Sequence, residues 1–314
     1  MKHLFSIAIL FIIVFYSCKN NNTSPAKNEI TITQEYKIPC NDLPYIDSLL
    51  LIDSLNGDLY SCRAELYFDN GRYSEALFDI NNAIVLKGQN IPDLLLLSDI
   101  YFMLGNGQLA RSAIVEAEKI NNEDYTVYYA LGKHNFRTGN FELAKGYLAK
   151  SIQINAVNPQ SFFVLGQIAA LEEDTARAIT YYQNAIQTDY EFTPAYLQLA
   201  VINMDRDRSL VPQYLQNAIS VKPDNPYAHF MLGVYYQEEE DYLKAKECYL
   251  ESYNFDQKNK MTCFNLGYIY LTEMFLFDSA ALWFDKTLAL DPSFKAAQDN
   301  YKYSLELLKE ENNE

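Results

Sequence analysis

Residues Tyr125–Asn158 read YTVYYALGKHNFRTGNFELAKGYLAKSIQINAVN, and this stretch decides how the rest of the chain is understood. Tyr128, Leu131 and Gly132 sit at helical spacing, Gly139 breaks the run, and Phe141, Ala144, Leu148 and Ile154 resume it. The pattern is one helix, a turn and a second helix. Working outward, the small residue at 132 recurs as Ala64, Ser98, Gly132, Gly166, Ala200, Gly233 and Gly267, in steps of 34, 34, 34, 34, 33 and 34. A second series, Ala76, Ala110, Ala144, Ala178, Val211, Ala245 and Ala280, advances by 34, 34, 34, 33, 34 and 35. Two registers at one period mark a stacked repeat, in which no unit buries its apolar face alone.

The small residues are a packing requirement. Two helices approach closely only where neither carries bulk, and Gly costs roughly 1 kcal/mol against Ala inside a helix, so four glycines in the first series imply close approach. Tyr60, Leu94, Tyr128, Phe162, Tyr196, His229 and Cys263 open each first helix with mostly large apolar groups that wedge against the preceding unit. Pro223 and Pro292 fall at helix stops.

The run Phe230-Met231-Leu232-Gly233 through Tyr242, Ala245 and Tyr249 resembles the tetratricopeptide (TPR) family. The resemblance implies an all-α, right-handed α-solenoid of about seven helix pairs with a C-terminal capping helix. The boundaries expected are a leader at 1–17, a tether at 18–41, a partial capping repeat at 42–56 (Leu49, Leu50, Ile52, Leu55), repeats over 57–294, and a capping helix with an acidic tail at 295–314. The turns near Arg208–Pro212 and Phe275 depart from the period by one residue.

Lys2 and His3 precede an apolar stretch from Leu4 to Phe15, too short to span a bilayer comfortably. A charged start, a short apolar region and a small residue describe a secretory signal. Phe15-Tyr16-Ser17-Cys18 is similar to the lipobox of bacterial lipoproteins, which makes Cys18 the expected lipid attachment site. The polar segment Lys19–Asn28 then reads as a flexible tether. Lys19 after the cysteine implies, by the same resemblance, an outer-membrane lipoprotein facing the periplasm.

With 25 Lys and Arg against 41 Asp and Glu, the chain is strongly acidic. A phosphate-binding partner needs a basic face, so nucleic acid is disfavoured and protein or peptide partners of the cell envelope are expected. Four cysteines remain after Cys18, with no paired CxxC for structural zinc. Whether they pair is left open; Cys248 and Cys263 lie on neighbouring helices but read as core residues.

No catalytic, metal or cofactor site is expected. His134 and His229 fall inside repeat helices without a partner set, and no G-x-S-x-G, H-E-x-x-H or G-x-x-x-x-G-K motif occurs. Acidic runs such as Glu238-Glu239-Glu240-Asp241 fall at turns and read as a solvated edge. The chain therefore reads as a non-enzyme.

In the resembled family the first helices line the inside of the curve. The inward column beside each opening large residue holds Ser61, Leu95, Tyr129, Phe163, Leu197, Phe230 and Phe264, and a second holds Phe68, Phe102, Phe136, Ala170, Met204, Gln237 and Leu271. Both are apolar for a surface, so the partner is expected on Phe102, Tyr129, Phe136, Phe163, Leu197, Phe230 and Phe264. These rings also fit burial between adjacent helices. Lys133 and Arg137, near Asp99 and Gln167, either hold a carboxylate of a ligand or balance local charge. Ser61 with Glu65, Leu95 with Asp99 and Tyr129 with Lys133 do not match the Lys/Asn pairs that clamp chaperone tails. The expected function is a scaffold that organises envelope proteins through this groove; the alternative is a receptor taking a small molecule, lipid or glycan there.

Overall fold

The computed structural model describes residues 40–311, and every regular element among them is helical. Helix α1 (Leu43–Ile52) precedes seven antiparallel pairs: α2 (Gly57–Asp69) with α3 (Tyr73–Lys87), α4 (Ile91–Met103) with α5 (Gly107–Ile120), α6 (Tyr125–Arg137) with α7 (Phe141–Ile154), α8 (Pro159–Leu171) with α9 (Thr175–Thr188), α10 (Thr193–Arg206) with α11 (Val211–Val221), α12 (Pro226–Glu238) with α13 (Tyr242–Phe255), and α14 (Lys260–Thr272) with α15 (Phe277–Leu290). Helix α16 (Lys295–Glu311) packs along α15 and also reaches α14, taking the place of an eighth first helix. The α-solenoid of seven helix pairs with a terminal helix is the fold expected from the period.

Each pair closes on the two small-residue series. Ala76, Ala110, Ala144, Ala178, Val211, Ala245 and Ala280 are fully buried, and across from them the first helices bring their small residues against a large side chain of the second helix. A Cβ on Gly166 would lie 2.5 Å from Cε1 of Tyr182, and one on Gly132 would lie 2.6 Å from Cγ of Leu148. Gly233 and Gly267 stand in the same way against Tyr249 and Phe284. At the equivalent register Ala64, Ser98 and Ala200 face Ile80, Ile114 and Leu215. An aromatic ring in the second helix thus goes with glycine in the first, because the ring fills the volume a Cβ would take.

The helix starts follow a third series. Asn56, Asn90, Asp124, Asn158, Asn225 and Asn259 each accept backbone N–H bonds in the first turn of α2, α4, α6, α8, α12 and α14. Such caps satisfy amides that have no partner inside the helix. The exception is α10, whose cap position holds Phe192 with no side-chain bond to the backbone. The two departures from the period are absorbed locally: Arg208–Leu210 forms a short 3-10 turn, and the α14–α15 turn is one residue longer, its Leu276 N–H donating to the Tyr270 carbonyl where Asp241 N–H donates to Tyr236.

At the N-terminal end, α1 buries Ile46 and Leu50 and leaves Leu51, Ile52 and Leu55 exposed. Of the four residues expected to form a partial repeat, Leu50 is the one that reaches the core. Cys40 and Cys62 form a disulfide with a Cα–Cα distance of 5.1 Å, which ties the segment entering α1 to the middle of α2. Cys248 and Cys263 are free.

Candidate functional site

Successive first helices touch one another most closely at α2–α4, α4–α6, α6–α8 and α14–α16, whereas second helices meet chiefly their own partner and the next first helix. A stack whose first helices crowd together curves towards them, so the outward stripe of α2–α8 lines the inner face, and the same helical register carries that stripe on along α10–α14. Helical spacing places residues i, i+3, i+7 and i+10 or i+11 on that stripe. It runs Asp58, Ser61, Glu65, Phe68 on α2; Pro92, Leu95, Asp99, Phe102 on α4; and Thr126, Tyr129, Lys133, Phe136, Arg137 on α6. It continues as Gln160, Phe163, Gln167, Leu171 on α8; Pro194, Leu197, Val201, Met204 on α10; Tyr227, Phe230, Val234, Gln237 on α12; and Met261, Phe264, Tyr268, Leu271 on α14.

The aromatic column expected to contact a partner is half-buried. Phe163 packs on Tyr182 and Phe192, Phe230 on Tyr249, Phe264 on Phe284 and Phe294, and Phe136 on Phe141, with centroids 4.9–6.1 Å apart. Phe102 meets His134 edge-on and lies under the Arg137 guanidinium. These rings present part of one face to the groove and spend the rest on joining helices. Leu271 is buried outright. The freely exposed apolar residues on the stripe are its neighbours: Leu171 at 62%, Tyr227 at 44%, and Val201, Met261 and Tyr268. They stand one helical step from the column expected to contact a partner.

Lys133 and Arg137 are both taken by Asp99, at 2.7 and 2.8 Å, so the charges fasten α6 to α4. Of the two uses open from sequence, the internal balance of charge is the one the geometry displays. Tyr129 lies beside this cluster, and burial, reinforced by the Asp99 charge, pushes its phenol up to about 12.

A cavity of about 530 Å³ opens on the inner side where α10 begins. Its lining includes Phe163, Phe192, Leu197 and Tyr227, with Asp189 and Glu191 from the loop before α10 and Lys222 from the loop before α12. At its edge Phe192 packs on Phe163, ring centroids 5.5 Å apart, and makes no cap to α10.

His229 meets the Pro223 carbonyl at 2.9 Å and stacks on Phe255, while burial and the nearby Arg111 and Arg137 push His134 below its ordinary value. Both are explained by packing. Among the described residues no group of three or more His, Cys, Asp or Glu is placed to hold a metal, and no helix is long and apolar enough to cross a membrane. Cys18 lies outside the described residues.

Two segments, residues 129–192 and 226–259, match family models described as tetratricopeptide repeat. Anaphase-promoting complex subunit 3 of Schizosaccharomyces pombe is 24% identical over 189 residues, which is 59% of this chain and 28% of that protein. The chain spans between 13% and 33% of the length of the curated relatives it matches. Among solved structures, yeast Tom70 superposes with a TM-score of 0.62 at 15% identity, over 86% of this chain and 58% of that one. The human IFIT1 dimer with m7Gppp-AAAA gives 0.64 at 17% identity, over 85% and 67%. The period, the helix pairs, the family models and these folds agree: this chain carries tetratricopeptide repeats stacked into an α-solenoid.

Proposed function

We propose that this chain is a non-enzymatic protein-interaction scaffold whose inner groove binds protein or peptide partners of the cell envelope, and which is held at the outer membrane, on its periplasmic side, through lipidated Cys18. The observation that carries the reading is the inner stripe of α8–α14, where Leu171, Val201, Tyr227, Met261 and Tyr268 stand exposed along four consecutive repeats. A row of exposed apolar side chains on one concave face is the ordinary form of a polypeptide-binding groove. A net charge of −16 adds a preference for neutral or basic partners. The Cys40–Cys62 disulfide supports an exported location, since such bonds persist in oxidising compartments. The scaffold reading also fits the TPR fold, which is typically non-catalytic.

The test is crosslinking in intact cells followed by purification of the full chain. A defined set of envelope proteins should be captured, and Leu171→Glu with Tyr268→Glu, both at exposed positions, should remove them without unfolding the chain. Capture that is unchanged by the double variant would place binding on another surface. Labelling with a palmitate analogue should be lost in Cys18→Ser; retained labelling, or none in the unmodified chain, would overturn the anchor.

A further inference from the structure

Phe192 stands where six other first helices carry a capping Asn or Asp. Losing such a cap costs about 1 kcal/mol, so local helix stability does not account for the ring. The same departure recurs at Phe294, immediately before α16, and the two places align residue for residue: Pro159 with Lys260, Phe163 with Phe264, Asp189 with Asp291, Phe192 with Phe294. Their loops are built alike. In each, the phenylalanine N–H donates to the aspartate carbonyl at 3.1 Å, and Oδ1 of the aspartate accepts from the residue two further on, at 2.9 Å in one and 3.0 Å in the other.

The loops differ at Tyr190 and Glu191, where the other copy has Pro292 and Ser293, and the first helix differs in the group that meets the aspartate. At the C-terminal copy Lys260 Nζ sits 2.6 Å from Asp291 Oδ2 and 5.6 Å from the centroid of the Phe294 ring. The chain's own lysine thus fills a seat made of a carboxylate and an aromatic face, which is how a cation is held best at a protein surface. At the other copy Pro159 replaces the lysine, and no ion pair reaches Asp189 among the described residues. The cavity of about 530 Å³ opens against this unfilled seat, with apolar walls at Leu197 and Tyr227.

We propose that this cavity takes a Lys or Arg side chain of a bound polypeptide, its cation on Asp189 above the Phe192 ring, with an adjoining large apolar side chain against Leu197 and Tyr227. Lys260 is the internal template for the cation. Glu191, in the same loop as Asp189, adds a second carboxylate to the lining, and Lys222, from the loop before α12, adds a charge that opposes a cation. This rests on the groove reading above and names what the groove recognises.

The experiment titrates N-acetyl-lysyl-phenylalanine amide into the full chain and follows backbone amide shifts by NMR. Saturable shifts should cluster at residues 189–198 and 222–227. Probes with glutamate for lysine, or serine for phenylalanine, should bind about ten-fold more weakly. Phe192→Asn installs the cap found on the other first helices but gives up the ring's packing on Phe163, so its fold is checked first by amide dispersion, and with the fold kept it should lose the binding. Pro159→Lys should fill the seat from within and weaken the probe about ten-fold, whereas Lys222→Glu should tighten it several-fold. Equal binding of the glutamate probe, no saturable shifts with any probe, or indifference to Pro159→Lys would overturn the assignment. The two readings also fail separately. If cellular capture is lost in Leu171→Glu with Tyr268→Glu but untouched by Pro159→Lys and Phe192→Asn, the cavity assignment falls and the scaffold stands. If the probe binds as described and nothing is captured, the scaffold falls and the cavity stands.

Discussion

The first three repeats and the last four share one fold and hold it together differently. Between α1 and α6 polar and covalent ties are added to the apolar core: Cys40–Cys62, the Arg63 guanidinium shared by Asp79 and Asp47, and Asp99 shared by Lys133 and Arg137. From α8 onwards three of the four pairs are closed by a ring laid on glycine: Tyr182 on Gly166, Tyr249 on Gly233 and Phe284 on Gly267. The consequence falls on the groove. Midway along the inner stripe the first three repeats carry Glu65, Asp99 and Lys133, while the next four carry Gln167, Val201, Val234 and Tyr268. Charges used as internal fasteners are not offered to a ligand. Where aromatic packing does the fastening, the middle of the inner stripe is left uncharged, and the closest contacts between first helices lapse between α8 and α14.

The largest expected effect tests the polar half. Asp79 is 1% exposed and accepts two hydrogen bonds from Arg63, at 2.6 and 2.9 Å, while Arg63 also reaches Asp47 at 2.7 Å. The bond to Asp79, opposed by burial, raises the guanidinium above its ordinary value. Arg63→Ala leaves a buried carboxylate unpaired and should cost about 3–5 kcal/mol. In a solenoid this loss stays local, so hydrogen exchange should speed up in α1–α3 and hardly change beyond α8. Arg208→Ala, which breaks the exposed pairs with Glu238 and Glu239, should cost under about 1 kcal/mol. Equal costs for the two would dissolve the distinction between the halves.

How far the sequence announced each half follows from what repeats. The small residues at 64 to 267 are visible because the same close approach is demanded seven times, and the period needs no knowledge of what lies opposite. The Asn and Asp caps carry the same period and are equally readable: a side-chain acceptor immediately ahead of six of the seven first helices is a helix-start signal. The unrepeated features were hidden. Cys40 lies in a segment read as tether, and nothing in spacing tells that it meets Cys62. Lys133 and Arg137 show as an excess of charge on one helix, but their partner, Asp99, sits one full period away on α4. Sequence gave the stripe its direction, yet the exposed set, Leu171, Tyr227 and Tyr268 among them, depends on helix rotation finer than a count of residues. Phe192 is legible as a break in the cap series; its cavity is not.

A second prediction exchanges the two kinds of packing. Gly166→Ala places a Cβ 2.5 Å from the Tyr182 ring, so the ring must shift inside a close-packed pair. Overpacking of this kind costs about 1–3 kcal/mol, against roughly 1 kcal/mol returned by the better helix propensity of alanine. Tyr182→Leu in that background recreates the Ala200 and Leu215 arrangement of the fifth repeat. The double variant should therefore recover most of the loss seen in urea denaturation, giving a favourable coupling in a double-mutant cycle. Additive costs would mean that glycine and ring are not a matched pair.

The smallest effect is absent at neutral pH and separates the halves by titration. Burial pushes Tyr182 in the aromatic half up to about 12, with no charged neighbour contributing. Tyr129 in the polar half is also pushed up to about 12, by burial first and then by Asp99, with Arg137 pulling the other way. A phenol whose folded value lies above the unfolded one, near 10, keeps its proton longer in the folded chain. Its contribution to stability is complete below about pH 10 and is lost as the pH rises towards 12. Asp99→Asn removes a negative charge beside one ring only. The Tyr129 midpoint, read as the difference in phenolate absorbance against Tyr129→Phe, should move down, and the Tyr182 midpoint, read against Tyr182→Phe, should stay. If both moved together the change would be a general loosening of the stack; if neither moved, Asp99 would be spent wholly on Lys133 and Arg137, a tighter internal clamp than its half-exposed position implies.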